Sequence, residues 1–272
     1  MTSHGTTNLK SRLLALHTLA IYLFLYVPIV IVVFFSFNRS RQVTLWEGFS
    51  WRWYVDLWND QVMQACIQNS LIVAVAATVI ATVIGTLAAL AMSGERFIGK
   101  RATAMLLLAP VIIPEIVVGA STLTFFSATH WHLSLLTVVI AHVTFSISYV
   151  VIVVRARLAG FDRSLEEAAM DLGATRLSMF WRVKLPLMAP GVIAAALLVF
   201  TLSIDDYVIT SFVAGPQSMT LPLLIASKLR VKSDLPVVNA AATVLLAFTI
   251  VLILVAQRLL RSKRINGREM PG

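Results

Sequence analysis

Long apolar stretches separated by short polar or charged segments dominate this 272-residue sequence. A helix needs about 20 apolar residues to cross the hydrocarbon core of a bilayer. Six stretches reach that length and predict transmembrane helices at about 13–37, 69–92, 103–127, 134–156, 189–213 and 235–257. The third and fourth spans are divided at residues 129–132, because their shared run is far longer than one crossing requires. The pattern predicts an all-α polytopic membrane protein with one domain over residues 1–272.

The composition agrees with a membrane protein, since 58% of the residues are hydrophobic and only 13% are charged. The formal net charge of +9 would suggest nucleic acid in a soluble chain. With both termini cytoplasmic, however, 16 of the 22 Lys and Arg residues fall on the inner side, as membrane proteins prefer. Orientation therefore explains the charge, and we expect no nucleic-acid partner. The one cysteine, Cys66, excludes an intramolecular disulfide and a Cys-based metal site.

The longest predicted inner loop carries helix signals of its own. Ser164 and Glu167 have the spacing of a capping box, which predicts a short helix beginning there. Gly173 follows where a helix ends in a left-handed turn. Thr175 can cap a second short helix, which is predicted to stop at residues 185–186. The loop is therefore predicted to be a helix, a glycine turn and a second helix exposed on the cytoplasmic face.

The spacing of this loop resembles the E-A-A-x3-G-x9-I-x-L-P motif of ABC importer permeases. Val183 stands where the motif has Ile, and the other specified positions match: Glu167, Ala168, Ala169, Gly173, Leu185 and Pro186. The resemblance implies a type I ABC importer permease fold, with residues 157–188 forming the helices that couple to a cytoplasmic ATPase.

By the same resemblance, Glu167 makes polar contacts with the ATPase, Ala168 and Ala169 allow close approach, and Gly173 makes the turn. The chain is not itself the ATPase. Residues 94–101 nearly match a P-loop, but Arg101 replaces the hydroxyl residue that binds magnesium, and no strand precedes the segment. We expect a basic inner loop there and no nucleotide site.

Three acidic residues fall within predicted spans: Glu115, Asp205 and Asp206. A carboxylate at membrane depth costs about 2.5–3.5 kcal/mol on insertion scales, so each needs compensation. One reading makes them neutral or bonded to hydroxyl groups, with Ser121, Ser203 and Tyr207 as candidates. The other places them along a water-filled path that an organic cation crosses. From the residues alone, both readings stay open.

A second resemblance favours the cation path. The chain is similar to a permease subunit of spermidine/putrescine ABC importers, and closest to the putrescine-type second permease. The likeness rests on 36–38, 53–54, 166–174, 200–206, 211–216 and 221–222. It implies a substrate path with Asp205, Asp206, Glu115 and Tyr207, although the family usually has Asp at the position of Glu115. Adjacent residues of a helix point about 100° apart, so we expect only one of the two aspartates to face the path.

The resemblance also implies partners and a location. The partners are a homologous second permease, two ABC ATPase subunits, an extracytoplasmic substrate-binding protein, the polyamine and the lipid bilayer. The location is the cell inner membrane, with several passes. We expect no enzymatic activity, no catalytic residue, no cofactor and no metal. Alternatives are a permease for another small organic solute, an ion-coupled carrier, and an intramembrane aspartyl hydrolase, which lacks facing carboxylates.

Two further predictions concern single residues inside the spans. His142, in the fourth span, is predicted to bond to another helix and not to act in catalysis. Gly85, Gly119 and Gly191 are predicted to allow close helix packing. His130 and His132, between the third and fourth spans, are interpreted as a polar cap at the membrane interface and not as metal ligands.

Overall fold

The computed structural model describes residues 4–42, 45–94, 97–162, 164–231 and 235–265. The named elements in these ranges are helical, which confirms the predicted all-α class. In chain order they are α1 (His4–Ser36), α2 (Arg52–Asn59), α3 (Gln61–Ser93), α4 (Lys100–Ile112), α5 (Glu115–Ala128), α6 (Leu135–Ala159), α7 (Ser164–Asp171), α8 (Arg176–Met179), a π-helical turn (Phe180–Lys184), α9 (Leu185–Ile204), α10 (Val208–Val213), α11 (Leu221–Val231) and α12 (Leu235–Ile265).

Five helical segments of the described chain are long and apolar enough to cross a membrane: Ser11–Ser36, Gln61–Ser93, Leu135–Ala159, Arg176–Ile204 and Leu235–Val255. The pair α4 and α5 also passes this test when taken together, and it gives a sixth candidate although the two helices are bent by 110°. Ile113 is extended with ψ 135° because it precedes Pro114, whose ring disfavours helical backbone before it. The predicted span 103–127 is therefore a broken pair of helices.

The predicted stop of the second short helix at Leu185 and Pro186 is wrong. Helical structure runs on from Arg176 to Ile204, with a π-helical turn just before the proline. An interior proline lacks an N–H and clashes with the carbonyl four residues earlier. The wider turn relieves this conflict, since the Leu185 N–H bonds to Phe180 O, five residues back.

The chain divides into two compact units, Met1–Gln61 with Ile225–Phe248, and Val62–Leu224 with Thr249–Gly272. The prediction of one domain over residues 1–272 stays a prediction. In the first unit, a buried asparagine organises the segment after α1. The Asn38 side-chain amide donates to Leu45 O at 2.6 Å, and its Oδ1 accepts from the Glu47 N–H at 3.0 Å. The Trp53 indole N–H, at the start of α2, donates to Asn38 O at 2.5 Å.

Two apolar clusters are found among the described residues of the second unit. One joins α3, α5, α6 and α10 through Val73, Phe126, Val138, Val139, Ala141, Phe145, Ile209 and Val213. The other joins α3, α6 and α9 through Ala81, Ala89, Val150, Val154, Met188, Ala195 and Val199. The predicted close packing at glycines is confirmed, because a Cβ at Gly85 would lie 2.6 Å from Val150 and one at Gly119 would lie 2.6 Å from Phe212. At Gly191 the nearest atom would be the Arg157 Cβ, at 2.8 Å.

Candidate functional site

A break in the helix of the predicted fifth span carries the two adjacent aspartates. Helix α9 ends at Ile204, and α10 begins only at Val208. The expectation that Asp205 and Asp206 lie on one continuous helix is therefore wrong, and the two side chains are not separated by the 100° step of an α-helix. The three residues 205–207 instead form a short link between two helices.

The carboxylate of Asp206 caps the start of α10. Its Oδ2 accepts from the Thr210 N–H and from the Thr210 hydroxyl, each at 2.8 Å, and its Oδ1 accepts from the Ile209 N–H at 3.4 Å. The first amides of a helix have no partner within the helix, so a carboxylate there satisfies donors that lipid cannot. The side chain of Asp206 is 6% exposed.

His142 reaches this break from α6 and contacts both sides of it. Its Nε2 lies 3.2 Å from Asp206 Oδ2 and 3.0 Å from Thr210 Oγ1, at the start of α10. Its Nδ1 lies 2.7 Å from Ser203 Oγ, in the last turn of α9. The histidine is fully buried. These contacts confirm the prediction that His142 bonds to another helix.

The other residues predicted to line the substrate path differ from Asp206 in their exposure. Asp205 is exposed, whereas Tyr207 is half-buried. Glu115 is exposed in the first turn of α5, where the helix dipole favours a negative charge, and α5 packs against α10. Glu115 at the start of α5 and Asp205 just before α10 are therefore both exposed carboxylates, and these two helices pack together. Asp206 already has four polar contacts.

The sequence did not reveal the partners of Asp206. Of the three hydroxyl residues suggested for the acids, Ser203 bonds to His142 and not to a carboxylate. The partners that were missed are His142 and Thr210. A histidine at membrane depth in the fourth predicted span was the available signal, because ionisable groups there are rare and usually paired.

The cytoplasmic loop forms the predicted turn between two helices. Gly173 has φ +86°. Its N–H donates to Met170 O at 2.9 Å, and the Ala174 N–H donates to Ala169 O at 3.0 Å. These two bonds form a Schellman motif at the end of α7. The predicted cap of α8 is also confirmed, since the Thr175 hydroxyl accepts from the Ser178 N–H at 3.2 Å.

The start of α7 differs from the predicted capping box. The Asp162 Oδ1 accepts from the Ser164 N–H at 2.9 Å, and the Ser164 hydroxyl also bonds to Asp162. These two donors hold the pKa of Asp162 below its usual value. A carboxylate two residues before Ser164 thus takes the capping role, because it offers a stronger acceptor than a hydroxyl. Arg163, and Glu95 and Arg96 of the P-loop-like segment, lie outside the described residues.

The motif residues of this loop occupy its exposed surface and its junction with α9. Glu167, Ala168 and Pro186 are exposed, and Ala169 and Leu185 are half-buried. Large apolar side chains are exposed beside them: Leu172 at 90%, Leu177 at 69% and Trp181 at 60%. Such a concentration of exposed apolar residues is typical of a protein-binding surface.

An ion pair joins the two parts of this loop. Lys184 Nζ, at the end of the π-helical turn, lies 2.8 Å from Glu166 Oε1 in α7. Both side chains are about four-fifths buried, with 23% and 20% exposed. Beside them lies an open cleft of about 440 Å³ lined by Ser93, Gly94, Leu158, Phe161, Glu166, Glu167, Met170 and Lys184. The pair joins α7 to the segment that leads into α9.

Known proteins are similar to this chain over most of its length. Residues 5–265 match the family of binding-protein-dependent transport system inner membrane components. The putrescine transport system permease protein PotI of Escherichia coli (strain K12) is 43% identical over 232 residues, 83% of this chain and 82% of that protein. The spermidine/putrescine transport system permease protein PotC of the same strain is 41% identical over 244 residues, 90% of this chain and 92% of that protein.

Solved structures agree on the fold. A chain of a bacterial ABC transporter for the import of the acidic polysaccharide alginate matches with a TM-score of 0.78 at 16% identity, over 94% of this chain and 96% of that chain. A chain of the MetNI methionine ABC transporter, in an inward-facing conformation, matches with a TM-score of 0.63 at 16% identity, over 75% of this chain and 98% of that chain. The fold is therefore that of an ABC importer permease. On the family match and on its identity to these two permeases, the chain belongs to the binding-protein-dependent transport system inner membrane component family.

Proposed function

We propose that this permease carries polyamines, putrescine or spermidine or both, across the cytoplasmic membrane. As a member of its family, the chain is a multi-pass inner-membrane component of an ABC importer, works with an ATPase and a binding protein, and is not itself an enzyme. The polyamine substrate is supported by two relatives above 40% identity whose names specify putrescine and spermidine/putrescine transport.

The observation that carries the substrate proposal is the contrast between the two aspartates. A polyamine has protonated amines, so its path needs carboxylates that are free to meet them. Asp205 is exposed, whereas Asp206 is held by Thr210 and His142. We therefore assign the contact with the passing ammonium group to Asp205, with Glu115 and Tyr207 as further members of the path. Asp206 is assigned to the structure of the path and not to the cation.

We assign the contact with the ATPase to the loop between α6 and α9. Gly173 gives the turn between α7 and α8 a fixed geometry, and the exposed Leu172, Leu177 and Trp181 offer an apolar surface on it. The exposed Glu167 and Ala168 lie on α7 near this turn. A rigid projection of this kind can enter a groove and follow its motion. We assign Leu185 and Pro186 to the junction that passes such motion into α9.

The complete importer is proposed to contain a homologous second permease, two ATPase subunits and an extracytoplasmic binding protein. Two alternatives from the sequence lose support. The family assignment argues against an ion-coupled carrier. An aspartyl hydrolase needs two carboxylates that share a proton, but Asp206 is bonded to His142 and Thr210. A permease for another organic solute is the remaining alternative.

The test is reconstitution of the whole importer in proteoliposomes with its binding protein. We expect putrescine or spermidine to stimulate ATP hydrolysis and to accumulate inside the vesicles. The matched control is 1,4-butanediol, which has the length of putrescine and no charge, and we expect it to do neither. Stimulation by neutral solutes, with none by either amine, would overturn the polyamine assignment and leave the family assignment intact.

A further inference from the structure

We propose that His142 is a positioning residue of the transport path, which fixes the break between α9 and α10 and thereby the place of Asp205. This inference rests on the proposed function for its effect on transport. Its structural part stands on the described contacts alone. The contacts that support it are those of His142, and they involve neither Asp205 nor the loop of residues 164–186.

One side chain, that of His142, joins both ends of the break. Ser203 lies in the last turn of α9 and Thr210 in the first turn of α10, and the two nitrogens of His142 contact one each. Asp205 lies in the link between them. Because each end of the link is bonded to the same ring on α6, the direction of Asp205 depends on where that ring sits.

One assignment of hydrogens satisfies every member of the buried polar cluster formed by His142, Ser203, Asp206 and Thr210. In it, the His142 Nε2–H donates to Asp206 Oδ2, the Thr210 hydroxyl donates to the same oxygen, and the Ser203 hydroxyl donates to Nδ1. A buried polar cluster with every member bonded specifies one geometry, whereas a partly bonded one is costly. The cluster therefore acts as a latch with a single arrangement.

The buried charge of Asp206 makes this cluster sensitive to the loss of His142. A buried carboxylate that loses one of its partners destabilises its surroundings strongly. His142 is the partner of Asp206 that comes from another helix, and the Thr210 and Ile209 donors belong to α10 itself. Removal of the ring leaves α10 capped and still joined to α6 near its end, where the Thr137 hydroxyl donates to Val213 O at 2.8 Å, but the start of α10 beside the link loses its polar tie to α6. We expect the link to move, and with it Asp205.

The test compares three substitutions in the assembled importer. Glutamine can place an amide near the position of Nε2, asparagine can place one near Nδ1, and leucine can bond at neither. We expect His142→Gln to keep the KM for putrescine uptake within roughly threefold, and His142→Asn and His142→Leu to raise KM roughly tenfold, as expected for loss of a charge-assisted hydrogen bond. His132→Gln, at an exposed outer histidine, is the matched control and should leave KM unchanged.

A role in packing alone predicts another order. Leucine and glutamine, which are close to histidine in volume, would then both keep KM near the reference, and only the smaller asparagine would raise it. Equal KM values for the Gln and Asn variants at matched membrane levels would overturn the proposal. If His142→Leu does not reach the membrane, His142→Met replaces it, because methionine has the length of glutamine and no donor; equal KM values for the Met and Gln variants would likewise overturn the proposal.

A second readout needs no transport. The thiol of Asp205→Cys is labelled with a cationic methanethiosulfonate reagent, and the chain without this substitution gives the background because its Cys66 is buried. We expect His142→Asn to change the labelling rate by roughly fivefold or more and His142→Gln to leave it near the reference. Equal rates in all three backgrounds would contradict the latch. A fully active Asp205→Asn would instead contradict the assignment of Asp205 to the path, so the two failures are distinguishable.

Discussion

The helical chain is interrupted at two places to which we assign a function, and the two interruptions are built in opposite ways. The turn at Gly173 depends on residues within a few positions of it: the Met170 and Ala169 carbonyls and the Thr175 cap. The break at Asp205 depends on His142, which lies 61 residues from Ser203 and 68 from Thr210 along the chain. A local turn keeps its shape when the rest of the molecule moves. A break held by another helix changes shape when that helix moves.

The difference suits the two assigned roles. A contact with the ATPase has to transmit force without deforming. The turn at Gly173 is suited to this because its hydrogen bonds are made by neighbouring residues. A contact with a passing cation has to form and release, and a link held by a contact to another helix can respond to movement of that helix. The ion pair between Lys184 and Glu166 connects the two regions, because it joins α7, which ends at the local turn, to the segment that continues into α9.

The largest expected effect comes from breaking the local turn. Gly173 has φ +86°, and a Cβ there would meet nothing within 4 Å, so its requirement is conformational. We expect Gly173→Val to abolish ATP-driven uptake, because a β-branched residue is strained in the left-handed region. Gly173→Asn is the control, since asparagine tolerates that region, and it should retain much of the uptake. Membrane level is measured beside uptake, and normal uptake by the valine variant would contradict the assigned role of the turn.

An intermediate effect is expected from the ion pair between Lys184 and Glu166. We expect Lys184→Met to lower uptake by roughly threefold, because a partly exposed pair contributes up to about 1 kcal/mol. The reversed pair, Lys184→Glu with Glu166→Lys, should recover part of the loss if the pair itself matters. Reversal that is worse than either single substitution would show that one of the charges has another role.

The smallest expected effect comes from the cap of α8. Thr175→Ala removes the acceptor of the Ser178 N–H, which costs about 1 kcal/mol of local stability. We expect faster hydrogen exchange at the Ser178 amide, with uptake nearly unchanged. Thr175→Ser keeps the hydroxyl and is the control. Unchanged exchange in the alanine variant would contradict the cap.

The sequence predicted much of what is local or periodic, although not the start of α7, where Asp162 takes the role expected of Ser164. Apolar runs predicted the spans, and Gly173 and Thr175 predicted their turn and cap, because each acts on neighbouring backbone groups. It did not predict the continuation of the helix through Pro186, since a π-helical turn has no clear composition signal. Nor did it predict the bond between His142 and Asp206. The partner of a buried charge is chosen by packing, and one sequence alone does not contain that information.

We assign the contact with the passing cation to Asp205, and we assign to Asp206 the stabilisation of the break between α9 and α10. The most direct measurement is the dependence of ATPase activity on putrescine concentration in the reconstituted importer with Asp205→Asn. Asp56→Asn, in the outer helix α2, serves as the control. We predict that Asp205→Asn raises the half-maximal putrescine concentration roughly tenfold, the loss expected for one charged contact, while membrane level and activity without putrescine stay normal. An unchanged concentration dependence would contradict the account.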